Sequence, residues 1–143
     1  MTSFKDAESY TPRTNNFTLE RDGLGLVCKF PLLCSVDDVY QAVITIQKLP
    51  HFSQLTYCIF DMAVVQAFDR GQANLDMILA HLSGSRQTNP RLKIAFVSND
   101  PDALTFAKWL ATHSNRAIGH FRMMTIARTW TDMSPWIKAN LDL

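Results

Sequence analysis

Leu55-Thr56-Tyr57-Cys58-Ile59-Phe60 is a nearly unbroken run of apolar and β-forming residues between turn signals. No polar residue recurs along it to face water, so it reads as a strand covered on both sides, as the interior strands of parallel sheets are. A second such run, Leu92-Lys93-Ile94-Ala95-Phe96-Val97, follows Asn89-Pro90. Between them Leu75, Ile78, Leu79 and Leu82 fall at helical spacing, and Gly84 is expected to close that helix. Two covered strands joined by a helix form a βαβ unit, and hence a parallel sheet.

The pattern continues in both directions. Phe17, Leu19 and Arg21 alternate with Thr18 and Glu20, and Leu24, Leu26, Cys28 and Phe30 alternate with Gly25, Val27 and Lys29, so a hairpin turning at Asp22-Gly23 is predicted. Ser35 and Asp38 have capping-box spacing ahead of Val36, Val39, Tyr40, Val43 and Ile44, which predicts a first helix ending before Pro50. After the second run, Asn99 or Asp100 is placed to cap a helix with Pro101 in its first turn and Ala103, Leu104, Ala107, Leu110 and Ala111 as its apolar stripe, ending near Asn115. A last strand is expected within Phe121 to Ala127. Thr129 and Asp132 open a terminal helix through Trp130, Met133, Trp136 and Ile137, in which Pro135 suggests a break with Ser134 capping a second segment. The fold class expected is α/β: a mostly parallel sheet of about five strands, with an N-terminal antiparallel hairpin strand and about four helices. Residues 1–16 are polar and without period and are expected to be a flexible tail to a domain spanning 17–143.

Composition narrows the function classes. The chain has 143 residues, 47% apolar and 19% charged, enough for one folded core. Its net charge of +1 is spread without a basic cluster, which speaks against nucleic acid and anionic membranes as partners. No stretch reaches transmembrane length and the N-terminus carries no apolar run, so neither a membrane span nor a secretory signal is expected. Cys28, Cys34 and Cys58 are odd in number, lack C-x-x-C spacing and have apolar neighbours, pointing to buried thiols and a cytoplasmic setting.

The order of these elements, together with Cys34-Ser35-Val36-Asp37-Asp38-Val39, Leu49-Pro50-His51-Phe52, Phe60-Asp61, Lys93-Ile94-Ala95-Phe96-Val97-Ser98-Asn99-Asp100 and Trp136-Ile137, resembles the SpoIIAA-like group of STAS-related domains. The resemblance runs from about Phe17 to Leu141 and implies a right-handed β-α superhelix preceded by an extra strand. It further implies a non-catalytic regulatory module that binds a protein partner. As the alternative, some relatives resemble CRAL-TRIO domains, which implies a carrier or sensor of a small apolar, lipid-like ligand. Family members are switched by phosphorylation of a serine after the central strand. Here the corresponding stretch, Asp61 to Gln72, contains no Ser or Thr, so that switch has no acceptor.

Sites in open α/β sheets lie at the carboxyl ends of the strands, here the loop Asp61 to Gln72 and Ser98-Asn99-Asp100. The candidate ligand- or partner-binding residues are Asp61, Met62, Val65, Phe68, Asp69, Arg70, Asn99 and Asp100. Each has a plainer use. Asp61 either receives a ligand or a partner's Arg, or accepts loop N–H groups; Asp69 and Arg70 either meet a partner's charge or cap and solvate the following helix. Phe60, Met62, Val64, Val65 and Phe68 either tuck into the core or form an apolar patch. Phe106 and Trp109, off the main helical stripe, either widen a buried face or serve a homodimer. On the surface reading, Asp61→Ala or Phe68→Asp should weaken partner capture and spare the fold. His51, His81, His113 and His120 lack metal-ligand spacing, Gly23-Leu24-Gly25 precedes a strand where a dinucleotide loop precedes a helix, and no G-x-S-x-G occurs, so no metal, no cofactor and no nucleophile is expected.

Overall fold

The computed structural model describes residues 17–69, 75–117 and 124–141. Its elements are β1 (Thr18–Asp22), β2 (Gly25–Lys29), β3 (Leu33–Ser35), α1 (Val36–Gln47), a 3-10 turn at Phe52–Gln54, β4 (Tyr57–Asp61), β5 (Ala67–Asp69), α2 (Leu75–Thr88), β6 (Lys93–Val97), α3 (Pro101–Ala117), β7 (Met124–Ala127) and α4 (Trp130–Leu141). The main sheet has the order β1-β2-β4-β6-β7, antiparallel between β1 and β2 and parallel elsewhere. This is the α/β fold expected from the two apolar runs, which lie side by side with Tyr57 opposite Lys93 and Asp61 opposite Val97. The tail assigned to residues 1–16 lies outside the described residues.

Each face of the sheet has its own core. Leu26, Cys28, Cys58, Phe60, Ile94 and Phe96 pack under α1, α2 and α3, with Phe60 and Phe96 stacked at 5.1 Å. Tyr57, Ile59, Ala95, Val97 and Ala127 face the other way, against Met133, Trp130 and Trp136 of α4. Helices on both faces explain why β4 and β6 read as continuous apolar runs.

Local chemistry sets the boundaries. Ser35 Oγ accepts the Asp38 N–H at 3.2 Å while Asp38 Oδ2 accepts the Ser35 N–H at 2.9 Å, so the capping box opens α1 as read. The hairpin turn sits one residue further on than Asp22-Gly23: Asp22 pairs with Gly25, leaving Gly23-Leu24 as the loop. Gly23 takes φ +59°, the left-handed conformation that the first central position of a two-residue loop demands. α2 does not close at Gly84. It continues to Thr88 because Ser85 is buried against Gln47 of α1, and Asn89, one residue beyond, donates to the Phe52 and Leu55 carbonyls at 2.8 Å each. α4 is likewise one helix, not two. Thr129 Oγ1 accepts the Asp132 N–H at 3.1 Å, and Trp130 and Met133 anchor the first turn on the sheet. The carbonyl that Pro135 leaves without a helical donor is that of Thr131, an exposed residue that water can serve.

The segment after β4 is more ordered than the loop expected from Asp61 to Gln72. β3 and β5 form a separate two-stranded parallel sheet, with Leu33 opposite Ala67, Cys34 opposite Phe68 and Ser35 opposite Asp69. The Leu32 carbonyl extends the pairing by accepting from Gln66 N at 2.9 Å and Ala67 N at 3.2 Å. Cys34 and Phe68 point inward; Leu33 and Ala67 point out. Among the described residues no helix is long and apolar enough to cross a membrane.

Candidate functional site

β4 ends on Asp61, whose side chain alternates onto the α4 face of the sheet. Its Oδ1 accepts the Ala63 N–H at 3.0 Å and its Oδ2 accepts the Trp130 indole N–H at 3.1 Å. The carboxylate therefore turns the chain after β4 and fastens the start of α4 to the strand end. At the end of β6, Asp100 caps α3: its Oδ2 accepts from Ala103 N at 3.0 Å and its backbone N–H donates to Ser98 Oγ at 3.2 Å. Asn99 beside it is exposed. Each aspartate at the strand ends is thus tied into its own element, and the two carboxylates are not joined by a hydrogen bond.

The apolar candidates divide by burial. Met62, Val65 and Phe68 are buried, and Phe68 packs on Phe106 of α3 with ring centroids 5.1 Å apart. Packing into the core, not a surface patch, is their fate, so Phe68→Asp would place a charge in the core and could not leave the fold intact. Asp69 lies exposed on the outer row of β5, and Arg70 lies outside the described residues. Phe106 is buried in the α3 core face, while half-buried Trp109 stacks on His113 at 4.3 Å.

What the candidate set left out is next to it, together with Val64 of the apolar stretch expected to be either core or patch. Leu32, Leu33 and Val64 are 51%, 71% and 56% exposed. The Leu32 carbonyl's bonds to Gln66 and Ala67 hold the first pair beside the segment that follows Val64. These three exposed apolar side chains, within or a few residues from the β3-β5 pairing, are its apolar lip. An open groove adjoins it, bounded by both strands, Gln66, Asp38 at the start of α1 and Asp102 in the first turn of α3. The signal available in the sequence was Pro31-Leu32-Leu33, apolar residues outside every periodic stripe.

The remaining chemistry is quiet. Burial pushes the Cys34 and Cys58 thiols up to about 12, with the Asp38 charge adding to the effect at Cys34 and a hydrogen bond with the Ser35 backbone opposing it. Cys28 is raised further, first by burial and then by Cys58, Cys34 and Asp61. All three thiols are free and protonated at neutral pH, hence poor nucleophiles. Among the described residues no three His, Cys, Asp or Glu side chains gather to hold a metal ion; His120 lies outside them. Beneath α1 and α2 an apolar cavity of about 20 Å³ is lined by Ile46, Phe52, Phe60 and Leu82, with Gln47 and Ser85 at its edge. That volume admits one water and no acyl chain.

No protein-family model matches this chain, and no curated protein and no solved structure matches it either.

Proposed function

We propose that this chain is a non-catalytic, cytoplasmic protein-interaction module of the SpoIIAA-like kind, and that it meets its partner through the apolar lip of Leu32, Leu33 and Val64. The observation that carries the reading is the contrast within one segment. Met62, Val65 and Phe68 are withdrawn into the core while Val64, with Leu32 and Leu33 across the pairing, is turned outward at more than half exposure. Large apolar side chains grouped on a surface mark contact sites more often than single ones do. The strand-end carboxylates support the same reading from the other side, since Asp61 and Asp100 are engaged in fixing α4 and α3. Three buried free thiols accord with a reducing compartment. Asp61 to Gln72 holds no hydroxyl side chain, so the reading assigns no phosphoserine switch to that stretch.

The test is affinity capture from the native cell extract with wild type, Leu33→Asp, Val64→Asp and Asn99→Ala, each checked for an unchanged melting temperature. A protein held by wild type and Asn99→Ala and lost from both lip variants is the expected result. Equal capture by wild type and all three variants removes the lip from the reading.

A further inference from the structure

A second groove, of about 550 Å³, lies at the amino ends of β2, β4 and β6, the opposite end of the main sheet from the lip. Leu24 of the hairpin loop stands on one side and Asn89 and Arg91 of the α2-β6 connection on the other, with the stretch Ser53 to Thr56 between them. Thr56 N–H donates to the Leu24 carbonyl at 2.8 Å, Lys93 N–H donates to the Thr56 carbonyl at 3.1 Å, and Asn89 Nδ2 donates to the Phe52 and Leu55 carbonyls at 2.8 Å each. The walls are therefore set by the fold and not by an occupant. Each wall carries a group that the fold leaves unused. Leu24 is 55% exposed. Arg91 is exposed, and its side chain makes no ion pair or hydrogen bond with any described residue. No carboxylate bounds the groove to offset that charge. Asn89 is 3% exposed, and because both its side-chain bonds run to carbonyl oxygens, the atom that makes them is the amide nitrogen. Its Oδ1 remains an acceptor, and no described residue donates to it. An oxygen on so buried a side chain is normally satisfied; here its donor has to enter through the groove that Asn89 lines.

We infer that this groove binds a small organic acid that carries an N–H beside its carboxylate and an apolar chain of about leucine size. The carboxylate meets the Arg91 guanidinium, whose planar fork suits it. The N–H donates to Asn89 Oδ1, and the apolar chain covers Leu24 and the Leu55 floor. A groove of about 550 Å³, mostly apolar with a few fixed polar groups, is of the size and character of a small-molecule site. An acid is selected over an amine because the groove presents one positive charge and no negative one. The site shares no residue with the lip, so neither depends on the other.

Amide chemical shifts of the full chain, titrated with N-acetyl-leucine, test this beside Arg91→Gln and Leu24→Ser, exposed positions whose substitution leaves the hydrogen bonds of the walls in place. Three analogues each lack one feature: N-acetyl-leucinamide the carboxylate, isocaproate the N–H, and N-acetylglycine the side chain. N-acetyl-leucine should move the amides of residues 24, 53–56, 89 and 91 saturably, with a Kd on the order of millimolar, as its size allows. Loss of the charge pair, through Arg91→Gln or the carboxamide, should weaken binding about three- to tenfold. Leu24→Ser and the other two analogues should weaken it about two- to fivefold. No saturable shift at these amides, equal binding of the acid and its carboxamide, or equal binding by wild type and Arg91→Gln overturns the site. A peptide ending in leucine that binds here more than about tenfold more tightly than N-acetyl-leucine makes a protein C-terminus the occupant and overturns the small acid.

Discussion

Tyr57 begins β4 opposite Gly25, fully buried, and meets Trp136 edge-on with ring centroids 5.9 Å apart. A Cβ at residue 25 would run into the Tyr57 ring, so glycine is there for close approach and not for a turn. Gly25→Ala should lower unfolding free energy by about 1–3 kcal/mol in urea titration, and Tyr57→Leu in the same chain should recover part of the loss; full wild-type stability in Gly25→Ala would show that the ring does not hold its place. Asp61 is a second single-residue dependency. Asp61→Ala strips acceptors from the Ala63 and Trp130 N–H groups and should cost about 1–3 kcal/mol, so its effect on any binding assay must be read after its effect on folding. The thiols make stability depend on pH. Cys34 and Cys58 have an ordinary value of 9.0 and a folded value of about 12. A raised folded value means that their contribution is complete below about 9 and is lost as pH climbs toward about 12, where the unfolded chain ionises and the folded one does not. Urea midpoints should fall across that window, and Cys34→Ala should make the fall shallower.

At the scale of elements, α1 and α2 respond to single changes in opposite senses. Ser35→Ala removes the hydroxyl that caps α1 and should cost about 1 kcal/mol. Gly84→Ala should stabilise by about 0.5–1 kcal/mol, because the position is exposed, inside a helix, and a Cβ there meets nothing. A pair of thermal melts checks both. Elements of five residues or more were legible where burial on both faces wrote a full apolar run, as in Tyr57 to Phe60 and Ile94 to Val97, or where a cap pair stood three residues apart, as at Ser35 and Asp38. Legibility failed where tertiary contact overrode a local signal. Gly84 reads as a stop, yet Ser85 packs on Gln47 and draws the helix onward. Pro135 reads as a break, yet the anchored turn before it and an exposed carbonyl make it tolerable. Strands of three residues, β3 and β5, are too short to show a period of two, and their pairing across more than thirty residues leaves no local trace.

For the whole molecule, that unread pairing decides where the surface is. The rule placing sites at strand carboxyl ends drew attention to Asp61, Asn99 and Asp100. It led to the edge beside the β3-β5 sheet, and two of the three proved to be engaged in building that edge. The lip became visible only when Leu33 was placed beside Ala67, because exposure depends on register, and register between distant strands is fixed by the fold and not by either segment alone. The same pairing separates the buried from the exposed members of an apolar stretch that, as a string of residues, looks uniform. The account therefore stands on the location of contact. Hydrogen exchange of the captured complex against the free chain measures it most directly: slowed exchange should centre on the amides of residues 32–35 and 64–69 and leave 98–100 at the free rate, whereas protection centred on 98–100 or on α4, with residues 32–35 and 64–69 unchanged, would contradict it.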